Sequence, residues 1–410
     1  MVTGYASRLA YGGRGRHFYN IPGAFHACAD LLGVRMPGTT YHLLTEAETF
    51  SDFAGGAISR WAGNVLRDTS HSVIVCPSAD RTWRFSPESV HVLPGMVLYQ
   101  HLRRHLERLP WFFHCRVIRG VFRRLIKRVR SGDIVWIHNR PEFAIAITPF
   151  VHRAGGRVVL HLHNSHLVER PERLMRQLRV DRLVFVSEFL RRQARSKFPQ
   201  LDTSSVLYNG ADQSIFYPAE GRKRNPEIAT VLFAGRLVAD KGVHILLQAM
   251  RLLEKEGVRL RAQIVGSSSF GMGKETDYTR RLKRTSPANV AFLPYCSGTG
   301  LGNLFREADI FCSPSVWEEP FGLVNVEAFA SALPVVSTYG GSSSEIFAHG
   351  GGILVESGSA VQLASALRLL AENPELRMRL GQQGYAAFLA RFTWSSVRAQ
   401  VEHIQRALSA

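Results

Sequence analysis

Residues 309–339 read DIFCSPSVWEEPFGLVNVEAFASALPVVSTY, and this stretch decides the fold. Its two ends, DIFCSPS (309–315) and LPVVSTY (333–339), are nearly continuous apolar runs, the pattern of strands buried on both faces. Between them a loop containing Pro320 and Gly322 opens a helical segment. Strand, loop, helix and strand in that order describe one unit of a parallel sheet covered by helices.

The pattern recurs in both directions. TVLFAGR (230–236), RAQIVGS (261–267) and NVAFLPY (289–295) precede it and GGILVES (351–357) follows, with helical stretches at 242–257 and 361–380 between. An earlier series starts at Thr40 in TTYHLLTE and continues through HSVIVCP (71–77), DIVWIHN (133–139), RVVLHLHN (157–164), DRLVFVS (181–187) and SSVLYNG (204–210). The segment FYPAEGRKRNPEI (216–228), with two prolines and no apolar periodicity, separates the two series. The expected architecture is α/β, two tandem Rossmann-like doubly wound domains, at 39–218 and 219–391. Residues 392–410 read as a C-terminal helix, with Val397, Val401, Ile404 and Leu408 on one face, expected to pack back toward the first domain. Residues 1–38 form a poorly structured extension in this reading, and Met36 is an alternative start.

Composition bounds the function. The chain has 410 residues, 45% hydrophobic and 20% charged, which excludes a small stapled scaffold and a disordered chain. Five scattered cysteines, with no C-x-x-C and no Cys/His group at zinc-ligand spacing, fit a reducing compartment. No apolar run is long enough to span a membrane and no signal peptide is evident, so a cytoplasmic location is expected. The net charge of +18 points to an anionic partner: nucleic acid, an anionic membrane or a phosphorylated substrate. Residues 1–218 carry 30 basic and 16 acidic side chains and residues 219–410 carry 21 and 17, so the excess belongs to the first half.

The loop at 315–328 is where chemistry concentrates. A helix that begins after a buried strand presents free amides, and Gly322 lets an anion approach those near Phe321, Gly322 and Leu323. Glu319 on the loop and Glu327 inside the helix would face one cleft at different depths, suited to two sets of hydroxyls. This segment resembles the E-x7-E signature of the family 4 retaining glycosyltransferases, which have the GT-B fold, two such domains facing a central cleft. Gly235-Arg236 with Lys241-Gly242 resembles the family's G-R-…-K-G element; Asn209-Gly210, Asp212 and Phe216 its N-G-x-D-…-F turn; and Pro334-Val-Val with Gly340-Gly341 and Glu345 its P-V-V-…-G-G-x-x-E element.

The resemblance implies a donor that is a nucleotide diphosphate-sugar, a substrate and not a cofactor, with Arg236 and Lys241 on the diphosphate, Glu327 on the ribose and Glu319 on the sugar. It implies transfer with retention to a sugar or lipid-linked acceptor, and chemistry without a metal, in keeping with the lack of an Asp-x-Asp pair in a suitable loop. Gly55-Gly56, before the first helix, resembles the loop that meets the diphosphate from the opposite wall, and His163 in HLHNSH resembles the strand-end histidine at the transferred sugar. Gly266, Pro294 and Tyr295, at strand ends of the second series, are expected near ribose and base. His138 and Arg140 either face the acceptor or form a hydrogen-bonded loop pair.

The stretch 101–130 holds ten Lys or Arg and one Glu with aromatic and aliphatic residues interleaved, as in a basic amphipathic helix on an anionic membrane. A helix packing its apolar stripe on the sheet gives the same pattern. Two rival readings, a sugar-nucleotide epimerase of similar architecture and a basic nucleic-acid-binding protein, account less well for the ordered motifs, and no nucleic-acid module is present.

Overall fold

Val, Ile and Leu on consecutive residues assemble into two all-parallel sheets. The computed structural model describes residues 38–50, 56–66, 69, 71–79, 89–199, 203–219, 221, 228–268 and 275–409; the expected N-terminal extension, Met36 and Gly55 lie outside them. The strands of the first half are β1 (Thr40–Leu43), β2 (Thr49–Phe50), β3 (Ser72–Cys76), β4 (Ser78–Ala79), β5 (Val90–Val92), β6 (Ile134–His138), β7 (Arg157–Leu162), β8 (Arg182–Phe185) and β9 (Ser204–Val206). Seven of them order as β5-β3-β1-β6-β7-β8-β9, and β2 pairs with β4 alone. The second half supplies β10 (Ala229–Ala234), β11 (Leu260–Val265), β12 (Val290–Leu293), β13 (Ile310–Ser313), β14 (Val335–Thr338) and β15 (Gly352–Val355), ordered β12-β11-β10-β13-β14-β15.

Both orders contain a reversal. The chain runs outward from β1 through β3 to β5, then returns to β6 on the other side of β1; it does the same from β10 to β12 and back to β13. The crevices beyond β1/β6 and β10/β13 are therefore topological switch points, where open parallel sheets bind ligands. One face of the first sheet packs on Tyr99, Ile118, Phe122 and Phe143. The other packs on Trp61 and on Val397, Val401 and Ile404 of the last helix, Trp394–Ser409, which crosses back from the second half.

Two expectations change. Val90–Val92 is an edge strand that no apolar run announces, because its residues are half-buried or exposed. The stretch 101–130 is not one amphipathic helix but falls across three, Pro94–Leu106, Trp111–Val121 and Arg123–Ile126. Pro110, in extended conformation, starts the second of these, since its ring and missing N–H end the first. Ile118, Phe122 and Leu125 turn into the core, whereas Leu98, Leu102, Leu109, Phe112 and Phe113 stay exposed.

Candidate active site

At the β10/β13 switch point three glycines let backbones touch. A Cβ on Gly242 (φ +68°) would sit 1.7 Å from the Pro314 carbonyl oxygen, and one on Gly341 (φ +57°) 2.2 Å from that of Glu319. Gly266 packs in the same way on the carbonyl of Gly235, so both residues join β10 to β11 and their part in the site is through backbone. These contacts bring the turn after β10 against the loop after β13, with the Val316 N–H donating to the Asp240 carbonyl at 2.8 Å and the Ser342 N–H to the Glu319 carbonyl at 2.9 Å.

The side chains follow the backbone. Lys241 Nζ donates to Glu319 Oε1, the Ser315 hydroxyl donates to the same oxygen at 2.8 Å, and the ammonium lies 5.3 Å from the centre of the Trp317 ring. Arg236 stands exposed beyond β10. Gly322 caps helix Leu323–Ala330 at φ +71°, so the helix N-terminus lies on the same loop, with the Asn325 N–H donating to the Gly322 carbonyl at 2.9 Å. One turn further, Glu327 is 4% exposed, with Arg60 3.8 Å away across the cleft; burial pushes its carboxyl up to about 7, against the pull of Arg60. A buried carboxylate so poorly matched with donors is suited to accepting hydroxyl hydrogen bonds.

The opposite wall comes from the first sheet. Helix Ala57–Val65 brings Arg60, and Gly56 caps it, but the Gly56 N–H donates to Glu48 Oε2 at 3.0 Å. An internal carboxylate thus already holds the terminus expected to meet a diphosphate, and burial raises the Glu48 pKa although the Gly56 and Ser59 amides oppose it. Arg140 pairs with Glu46 rather than with His138: its Nε and Nη2 donate to the two oxygens of that buried carboxylate, the second at 2.8 Å. His163 is one of four histidines from neighbouring strands. Its Nε2 lies 3.0 Å from His138 Nδ1, and His138 Nε2 lies 3.5 Å from His42 Nδ1. His161 lies between them, ring centroids 4.0 Å from His163 and 5.3 Å from His138. Burial keeps all four neutral, lowering His42 and His163 to about 3.

The structure therefore brings together Lys241 and Glu319 on the second sheet, and Glu327 with Arg60 across the cleft. Pro294 and Tyr295 follow edge strand β12, Tyr295 exposed. The Phe321 ring is buried near Tyr208 and Phe392, leaving only its backbone for a ligand. Sequence reading missed Arg60, Ser315 and the bridging role of Glu345, whose carboxylate accepts the N–H groups of Glu188 and Phe189 at 2.7 and 2.9 Å and so caps a first-half helix from the second half. Only the helical register of Arg60 behind Gly56 hinted at its position.

Residues 219–387 match the family described as glycosyl transferases group 1, and residues 63–214 match glycosyltransferase family 4. The spore coat protein SA of Bacillus subtilis is 26% identical over 288 residues, 65% of this chain and 76% of its own length. A D-inositol 3-phosphate glycosyltransferase of Corynebacterium aurimucosum is 30% identical over 296 residues, 67% of this chain and 69% of its own. With other curated relatives the chain matches about half of their length. Sucrose-phosphate synthase from Thermosynechococcus elongatus shares the fold, with a TM-score of 0.72 at 18% identity over 90% of this chain and 99% of that one.

Proposed function

Because this chain belongs to the family 4 glycosyltransferases, we propose that its cleft takes a nucleotide diphosphate-sugar and transfers the sugar with retention of anomeric configuration. The observation that carries this reading is the crevice itself: a lysine and a carboxylate held by paired glycines beside a helix N-terminus, with a second, buried carboxylate one turn further.

The chemistry follows from charge. As the bond to the sugar breaks, negative charge grows on the diphosphate, and preorganised donors stabilise it best where water is excluded. Lys241, Arg236 and the first-turn amides of helix Leu323–Ala330 are those donors. In the donor-free chain Glu319 holds Lys241 in place; with donor bound, Lys241 turns to the phosphate and Glu319 is released to the sugar hydroxyls. Glu327 accepts from the ribose. His163 contacts the transferred sugar from the other wall, and the leaving phosphate takes the acceptor proton on the same face. No step calls on a metal ion.

The acceptor side lies on the basic first half. We place a phosphate-bearing or lipid-linked acceptor there, with peripheral contact to an anionic membrane through the exposed apolar residues of 94–121. The D-inositol 3-phosphate named for the Corynebacterium relative supports an anionic acceptor. Among the described residues no helix is long and apolar enough to cross a membrane.

The test is transfer from a panel of nucleotide sugars, followed by product analysis. Lys241→Ala and Glu327→Ala should each lower kcat/KM by ~10²–10³-fold while thermal unfolding stays cooperative. Undiminished transfer in both variants would refute the site.

A further inference from the structure

We propose that His138, His161 and His163 form a binding site for a transition-metal dication of the zinc class, with His42 orienting His138. The strand pairing builds the site. His42 lies opposite Trp136 in the β1/β6 register and His138 opposite His161 in the β6/β7 register. Side chains two apart on a strand share a face, so His138, His161 and His163 emerge on one side of the sheet, under the Trp61 ring. One ring nitrogen from each of the three lies within 4.8 Å of the others. Backbone hydrogen bonds fix the two strand ends. The His163 N–H donates to Asn139 Oδ1 at 2.7 Å, and the N–H of Asn139, held at φ +56°, donates to the His161 carbonyl at 2.8 Å.

The nitrogens are poorly satisfied by protein. His42, His138 and His161 are fully buried, yet both ring nitrogens of His161, Nδ1 of His163 and Nε2 of His42 have no hydrogen-bond partner. Each unpaired polar atom carries an uncompensated desolvation cost that phenylalanine at the same positions would avoid. A dication uses these lone pairs. Tetrahedral zinc binds imidazole at ~2.0–2.1 Å, which puts ligand nitrogens ~3.3–3.4 Å apart, so small ring rotations close the site. His138 Nδ1 and His163 Nε2, already 3.0 Å apart, both present lone pairs when His138 carries its proton on Nε2. That proton then points at His42 Nδ1, 3.5 Å away, which holds the His138 ring as the acceptors of metal-binding histidines do. Three imidazoles select zinc, cobalt, nickel or copper over magnesium or calcium. Of the three, His163 alone is half-buried, so a fourth ligand would reach the ion from its side. A bound dication occupies the His163 lone pair and so opposes transfer; this consequence rests on the assignment of His163 above.

The full chain, stripped with a chelator, is equilibrated with zinc or cobalt, gel-filtered and analysed for metal. One dication per chain is expected, with the intense visible absorption of tetrahedral cobalt. His161→Phe, close in size, should lose that metal and that absorption, whereas His244→Ala, which alters a histidine bonded to Tyr278, should keep both. If His161→Phe does not fold, the native chain still decides: retention of no metal, or an octahedral cobalt spectrum, overturns the proposal, as does full retention by folded His161→Phe. These readouts need no donor, so a failed metal site leaves the glycosyltransferase reading intact, and only a chelator-stripped chain that transfers no sugar counts against the latter.

Discussion

Glu327 is the residue at which stability and function pull apart. It is 4% exposed and its carboxyl is pushed from the ordinary 4.5 up to about 7 by burial. An acid with a higher pKa folded than unfolded contributes stability that is fully present below about pH 4.5 and is lost as pH rises through about 7. The donor-free chain should therefore lose on the order of 2–3 kcal/mol from this group between those limits. Glu327→Gln keeps the shape without the charge. Its urea midpoint should exceed that of the parent at pH 8 and match it or fall below it at pH 5, even as donor binding weakens. Parallel midpoints across that range would show that the carboxyl is not desolvated. Glu319 and Glu327 were both legible in the sequence, because they belong to one strand-loop-helix segment. Arg60, the cation that faces Glu327, was not: it comes from the other half of the chain, and no local spacing records a contact made across a cleft. The histidine cluster was hidden for a related reason. His138 and His161 are register partners on adjacent strands, a relation that ligand spacing along one chain does not express.

At the scale of elements, legibility followed burial. Strands covered on both faces must be apolar at nearly every position, so the nine interior strands announce themselves as continuous runs, while edge strand Val90–Val92 does not. The basic helices misled because apolar residues at helical spacing continue through Pro110, and periodicity alone does not register the break. The last helix was legible as a helix from Val397, Val401 and Ile404, and those residues cover the first sheet over Trp61 and Trp136. Its placement is also polar: Arg398 Nη2 donates to the Asn64 carbonyl at 3.0 Å and Gln405 Nε2 to Thr40 Oγ1 at 3.1 Å. Ile404→Ala should therefore destabilise the first sheet by about 2–4 kcal/mol, as for other buried aliphatic truncations. Tryptophan fluorescence during urea unfolding includes Trp61 and Trp136 among the chain's six tryptophans, and an unmoved transition would mean that the helix is not part of that core.

For the whole molecule, the two halves are joined where Glu345 caps helix Glu188–Lys197 and where Tyr208, Phe321 and Phe392 meet, yet they differ in charge. The donor needs only a few cations, and the two proposed for it, Arg236 and Lys241, come from the nearly balanced second half, so the donor does not account for an overall +18. The surplus is displayed on the first half, where Leu98, Leu102, Leu109, Phe112 and Phe113 are exposed among Arg104, Arg108, Arg116 and Arg119. Exposed aromatics beside arginines fit the headgroup layer of an anionic membrane, where each cation near the surface contributes ~1 kcal/mol. Nucleic acid would need the cations but not the exposed leucines and phenylalanines. The chain should float with vesicles containing phosphatidylglycerol and not with phosphatidylcholine alone. Added salt should weaken the association, because screening acts within ~8–10 Å. Phe112→Ser with Phe113→Ser should weaken it further at constant charge. Equal flotation of the double variant would leave electrostatics as the sole attraction, and no flotation with anionic vesicles would remove the membrane and leave a phosphate-bearing acceptor as the partner of the basic half.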